Sequence, residues 1–186
     1  MSKAKKALVL LTTFWDAEAL IENKYFDFKV KNGLYRGNLF VDGEMNPSYR
    51  VLSIALSHPP LNKFSHIKKF DRLDFWCPTY DMLKDYHNDR DWAKYQLKYE
   101  NLMKKRKGTV KAWIDSLLAN KIYILCCWEN TAKEAKCHRQ LMYEALLSSN
   151  YAKQKLLPVY RDGNKLEKEI TQIPNQNIVI EILENA

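Results

Sequence analysis

The sequence predicts a single α/β domain over residues 1–186, with a mostly parallel, Rossmann-like sheet and helices on both faces. Three observations predict it. Short apolar runs suited to buried strands recur along the chain, with helical patterns between them. The 186 residues suffice for one substantial core, and five glycines and six prolines are too few to link flexible modules. Hydrophobic residues at 46% and charged residues at 28% give the balance of a folded globular chain.

Residues 6–13 (KALVLLTT) form an apolar segment bounded by charge, the pattern of a buried first strand, and Asp16 is placed to cap a short helix after it. From Phe26 to Asn46 aromatic, charged and turn residues mix, with breaks at Asn32-Gly33, Asp42-Gly43 and Asn46-Pro47. This reads as an excursion containing a hairpin. Residues 50–57 (RVLSIALS) make the next strand, stopped by Pro59 and Pro60. Residues 80–107 hold neither glycine nor proline, so helices are expected there, interrupted near Asn88 to Asp91. Thr109 is expected to cap a further helix reaching Ala119, with Val110, Trp113, Ile114, Leu117 and Leu118 on one face. Residues 121–128 (KIYILCCW) are continuously apolar, as in a strand covered on both sides of a parallel sheet. An amphipathic helix over 137–148 and strands over 155–160 and 178–183 complete the expectation.

Several function classes lose support. No G-x-x-x-x-G-K loop is present, and the longest apolar runs, 7–11 and 122–128, fall far short of the roughly 20 residues of a membrane span. The lysines and short apolar run at the N-terminus lack a small-residue cleavage site, so no secretory signal is expected. Four cysteines at 77, 126, 127 and 137 do not resemble a disulfide framework, which points to a reducing cytoplasm. The net charge of +8 makes an anionic partner plausible. Its densest cluster is Lys104, Lys105, Arg106 and Lys107, with Lys111 close behind; this is a nucleic-acid surface or, more plainly, a solvated helix end.

Chemistry-bearing residues concentrate between 127 and 139. In an open α/β sheet, ligands bind beyond the C-terminal ends of the strands. Cys127 and Glu129, two apart at a strand end, point to one side, and Cys137, His138 and Arg139 open the following helix. A thiol in a helix's first turn has its thiolate favoured by the helix dipole, so Cys137 is a candidate reactive group. Glu129 and His138 can move protons, or Glu129 can pair with Arg139. Arg139 and the helix N–H groups can hold a phosphate or carboxylate. Zinc on Cys127, Cys137 and His138 is the lesser reading, because the spacing matches no C-x-x-C knuckle. Neither metal nor cofactor is expected. Trp76, Tyr80, Trp92 and Trp128 can line a base-sized pocket, although aromatics at helical spacing usually belong to the core.

The strand YILCCWE, the triplet CHR and the upstream stretch CPTYDMLKDYHNDRDWAKYQLKYENLM resemble the YeaO-like proteins, domain-of-unknown-function family 488, over residues 77–147. In that family a proline-initiated segment precedes a basic, aromatic helical region, and an apolar strand ending in Cys-x-Glu precedes Cys-His-Arg. The resemblance implies a shared pocket at Cys127, Glu129, Cys137, His138 and Arg139 and carries no reaction with it. Two functions are therefore expected in competition. One is a binder of an anionic, nucleotide-like small molecule at that pocket, with Cys137, Glu129 and His138 near the reacting group. The other is a nucleic-acid-associated module using the 104–111 cluster.

Overall fold

The computed structural model describes residues 6–22, 25–30, 33–38, 40–41, 44–45, 49–119, 121–133, 135–160 and 162. The chain opens with β1 (Ala7–Thr13) and α1 (Phe14–Glu22), followed by the short strands β2 (Tyr25–Val30), β3 (Gly33–Asn38), β4 (Phe40–Val41) and β5 (Glu44–Met45). Then come β6 (Tyr49–Ser53), β7 (Asp71–Arg72), α2 (Tyr80–Asp89), α3 (Trp92–Ser116) and β8 (Ile122–Cys127). The elements α4 (His138–Ser148), α5 (Asn150–Lys155) and β9 (Leu156–Tyr160) follow. The expected strand over 178–183 lies outside the described residues.

Five strands form one wholly parallel sheet in the order β7-β6-β8-β1-β9, and the architecture is α/β as the alternating pattern predicts. The central strands β1 and β8 are buried almost end to end, which explains their unbroken apolar sequences. From β1 the chain moves through β6 to the edge at β7, and from β8 it moves the other way to β9. With right-handed crossovers, these opposite directions place α1 on one face and α2 to α5 on the other. The packing of α3 against both α4 and α5 agrees. Beyond the C-terminal end of β8 the chain turns to one face, whereas beyond its neighbours β1 and β6 it turns to the opposite face. That divergence opens the crevice where α/β sheets receive ligands.

The hairpin expected in the excursion is β2 with β3, antiparallel from Tyr25 opposite Asn38 to Val30 opposite Gly33. Three local expectations need correction. Thr13, not Asp16, caps α1: its Oγ1 accepts from the Asp16 N–H at 3.0 Å and donates to Asp16 Oδ2 at 2.8 Å. The helix expected to begin at Thr109 is instead the second half of α3, which runs unbroken through Gly108 and ends at Ser116. Tyr95, Tyr99, Met103, Val110 and Ile114 form one buried stripe along it, and that packing outweighs the roughly 1 kcal/mol a mid-helix glycine costs. Finally, α4 is not amphipathic, since every residue from His138 to Leu146 is buried.

Gly108 is exposed and a Cβ there meets nothing within 4 Å. Gly108→Ala is therefore expected to stabilise the protein by about 0.5–1 kcal/mol in urea unfolding, by lowering the backbone entropy lost on folding. The expected break near Asn88 to Asp91 is real. Arg90 ends α2 in the left-handed region at φ 56°, and Asp91 caps α3 by accepting from the Lys94 N–H at 2.9 Å. Among the described residues no helix is long and apolar enough to cross a membrane.

Candidate functional site

The parallel register sets Cys127 of β8 opposite Thr13 and Cys126 opposite both Thr12 and Ser53, so the site begins at the shared C-terminal edge of the three central strands. Trp128 turns outward and donates from Nε1 to the Ser57 carbonyl at 2.6 Å. The chain then crosses a short 3-10 turn at Thr131–Lys133 and returns to open α4. Cys137 is the N-cap: its N–H donates to Gln140 Oε1 at 3.0 Å, and its carbonyl accepts from the Gln140 N–H at 3.0 Å. This reciprocal cap fixes the Cys137 side chain at the helix entrance.

Four of the candidate side chains converge. The Cys127 thiol donates to Glu129 Oε2 at 3.1 Å, as their spacing of two at a strand end predicts. Cys137 Sγ lies 3.8 Å from His138 Nδ1. His138 Nε2 is 3.0 Å from the Ile54 carbonyl. A carbonyl only accepts, so Nε2 carries a hydrogen, and Nδ1 is the ring nitrogen that faces the Cys137 thiol. The imidazole is also held against the Tyr99 ring, at 5.4 Å between centroids, and Tyr99 is fixed by donating to the Trp76 carbonyl at 2.9 Å. The donor atoms of Cys127, Cys137 and His138 all lie within 4.8 Å of one another, and all three residues are buried.

Arg139 sits behind this cluster. Its guanidinium is fully buried and grips Asp162 in a fork, Nη1 to Oδ1 at 2.6 Å and Nη2 to Oδ2 at 3.0 Å. It also donates to the Glu129 carbonyl and, from Nε at 3.4 Å, to Cys137 Sγ. The carboxylate beside it is thus that of Asp162 and not of Glu129; only the Glu129 backbone reaches Arg139. Thr131 completes the arrangement, donating to Asp162 Oδ2 from its N–H at 2.8 Å and from its hydroxyl at 2.5 Å. The Tyr160 ring lies 5.3 Å from the guanidinium carbon.

The environment divides the titratable groups. Burial opposes charge on Cys137, but the hydrogen bond with Cys127, the Arg139 guanidinium and the neighbouring His138 outweigh it and hold this thiol well below its usual range. Cys127 is pushed well above that range by burial and by its neighbour Cys137. Burial, then the nearby Cys137, push the Glu129 carboxyl up to about 7. Cys126 and Cys77 are raised mainly by burial, Cys77 to about 11. Cys126 approaches only the Ile124 carbonyl, at 3.9 Å, and behaves as core.

A cleft of about 280 Å³ opens onto the cluster. Glu129, Cys137 and His138 line one side. Opposite, the corner between α2 and α3 supplies Tyr86, His87, Arg90, Trp92 and Tyr95. Trp92 and Tyr95 stack with centroids 5.2 Å apart and planes at 12°, and the Arg90 guanidinium lies 5.9 Å from the Tyr86 ring centre. Of the four aromatics foreseen for a pocket, Trp92 lines the cleft. Trp76 is buried in the core, Tyr80 is exposed, and Trp128 packs on Phe14 and Trp15. Apart from Trp92, the corner residues and Asp162 escaped the sequence reading of the site, although the Asn-Asp-Arg-Asp break over 88–91 marked the place where α2 and α3 meet.

The basic cluster lies elsewhere, about 18 Å along α3 from Trp92 at 1.5 Å per residue. Arg106 donates to the carbonyls of Asp74, Phe75 and Cys77 and so pins the segment before α2. Lys111 approaches Asp115 at 3.7 Å and the Tyr151 ring at 5.1 Å. Lys104 and Lys105 are exposed.

Residues 65–150 match the family model DUF488-N3a, described as the active DUF488-N3 subclade. The matched segment runs from the approach to β7 to the start of α5. It contains the whole Cys-x-Glu and Cys-His-Arg constellation and both helices of the cleft corner. No curated protein matches the chain, and no solved structure does.

Proposed function

We propose that this chain, whose residues 65–150 match the DUF488-N3a family model, holds a small-molecule site in the 280 Å³ cleft, taking an anionic ligand with a planar ring, nucleotide-like in form. The observation that supports this most directly is the pairing of walls. One is aromatic and basic, with Tyr86, Trp92, Tyr95 and Arg90; the other carries Glu129, Cys137 and His138. A base fits against the aromatic wall, where stacking contributes on the order of 1–3 kcal/mol. Arg90 and Lys136 outnumber the one acid in the lining, so a phosphate or carboxylate is favoured at the rim.

In this reading Glu129, Cys137 and His138 form the reacting end, Cys127 supports Glu129, and Arg139 positions Cys137 from behind. The description of the matching family as an active subclade accords with a reacting centre. Four free, buried thiols fit a reducing cytoplasm. The nucleic-acid reading draws less support, because Arg106 is bound to backbone carbonyls and the cluster stands away from the cleft.

Calorimetric titration with three compounds tests the proposal. Adenosine monophosphate, which carries both ring and phosphate, is expected to bind at least about tenfold more tightly than adenosine or inorganic phosphate alone, since each lost contact removes roughly 1.4 kcal/mol or more. Equal binding of all three, or of none, contradicts it.

A further inference from the structure

We propose that Cys127, Cys137 and His138 are the ligands of a thiophilic divalent metal ion, zinc foremost, seated at the floor of the cleft with its open coordination position facing Glu129.

Zinc–sulfur bonds of about 2.3 Å and zinc–nitrogen bonds of about 2.0–2.1 Å in a tetrahedron place donors roughly 3.5–3.8 Å apart. Cys137 Sγ and His138 Nδ1 already stand 3.8 Å apart, and all three donors fall within 4.8 Å of one another. Small side-chain rotations close the remainder. The residues come from the end of β8 and the start of α4, two rigid elements locked in register and by the Gln140 cap. Thiolate and imidazole donors favour zinc over magnesium or calcium, which prefer oxygen.

The surroundings are those of ligands and not of spare core thiols. A metal-bound histidine generally donates its other ring N–H to a carbonyl or carboxylate; His138 does so to Ile54 at 3.0 Å. Arg139 Nε donates to Cys137 Sγ at 3.4 Å, as an outer partner stabilises a thiolate. The positive charge of Arg139 does not oppose a bound cation, because Asp162 balances it in a fully buried fork. Two thiolates and a neutral imidazole would neutralise a divalent ion. Cys126, adjacent in sequence, has none of these partners. Two cysteines and one histidine leave a fourth position, the pattern of zinc sites that act on a ligand. Glu129, 3.1 Å from Cys127 Sγ and lining the cleft, stands beside that position.

Metal binding does not require the nucleotide-like ligand; only the consequence, a metal presented to that ligand, rests on the reading of the cleft. The full chain, without an affinity tag and purified in reducing buffer, should retain about one zinc per molecule by mass spectrometry of the metal. After exchange, cobalt should show a thiolate charge-transfer band and tetrahedral visible bands. Cys137→Ser and Cys127→Ser should lower both signals at least about fivefold, and Cys77→Ser should leave them unchanged. Against misfolded variants, alkylation of the wild-type chain gives a separate reading: a chelator should expose Cys127 and Cys137 to iodoacetamide, located by peptide mass. A folded chain that holds no zinc and gives no cobalt charge-transfer band overturns the proposal. So does a cobalt signal that survives both serine variants.

Discussion

Asp162→Ala is expected to destabilise the protein by about 3–5 kcal/mol, enough to remove much of the 5–15 kcal/mol that holds a typical domain together. The substitution leaves the Arg139 guanidinium, fully buried, without the carboxylate that accepts two of its hydrogen bonds at 2.6 and 3.0 Å. An uncompensated charge in that position cannot reach water. The loss also releases the Thr131 N–H and hydroxyl, both of which donate to Asp162, so the 3-10 turn between β8 and α4 loses its tie to the sheet. Urea unfolding checks the magnitude. Asp71→Ala, which removes the exposed partner of Lys69, serves as comparison and should cost no more than about 1 kcal/mol. Similar losses for the two variants would mean that the Arg139–Asp162 pair does not organise the site.

The second large effect concerns binding with little change in stability. Arg90 ends α2 with φ at 56°, a conformation that glycine adopts without strain. Arg90→Gly should therefore keep the fold within about 1 kcal/mol of wild type, the relief of strain offsetting the lost contact with Tyr86. It removes the guanidinium at the rim of the cleft. If that group holds the ligand's anionic end, affinity for adenosine monophosphate should fall roughly 10- to 150-fold, the equivalent of about 1.5–3 kcal/mol for a charged hydrogen bond. An unchanged affinity would place the anion elsewhere. A weakened fold with proportionate loss of binding would assign Arg90 a structural role.

The sequence made some of this candidate site readable because its Cys-Glu and Cys-His-Arg groups are local. Cys127 and Glu129 close one strand while Cys137, His138 and Arg139 open the next helix, so strand periodicity and helix-capping rules are enough to bring them together. Asp162 was hidden for the opposite reason. It stands 23 positions beyond Arg139, past the end of β9, and acquires its meaning only when β9 pairs with β1 and passes behind α4. Glu129 looked like the natural partner for Arg139 by proximity in sequence, yet its side chain turns to Cys127 and the cleft. The metal-ligand spacing was equally obscure, since the long return from β8 to α4 produces by folding what a C-x-x-C knuckle produces by sequence.

Fold class followed the alternation of apolar strands and helices, and the two central strands appear where continuous apolar runs placed them. Helix boundaries were harder. Gly108 and Thr109 carry the local signature of one helix ending and another starting, but the buried stripe from Tyr95 to Ile114 continues across them and long-range packing decides. In α4 the polar residues His138, Arg139, Gln140 and Glu144 suggested a solvated face. The first three are enclosed because the Ile54 carbonyl, the Asp162 carboxylate and the Cys137 N–H supply their hydrogen-bond partners.

Ligand bound in the cleft between the α2–α3 corner and the Cys-His cluster would lie against Trp92. The most direct measurement is the indole N–H signal of Trp92 in a nitrogen–proton NMR spectrum as adenosine monophosphate is added. Binding in the cleft should give a saturable shift of that signal, while the signal of Trp76, buried in the core, stays in place. Saturable binding that leaves Trp92 unmoved would contradict it.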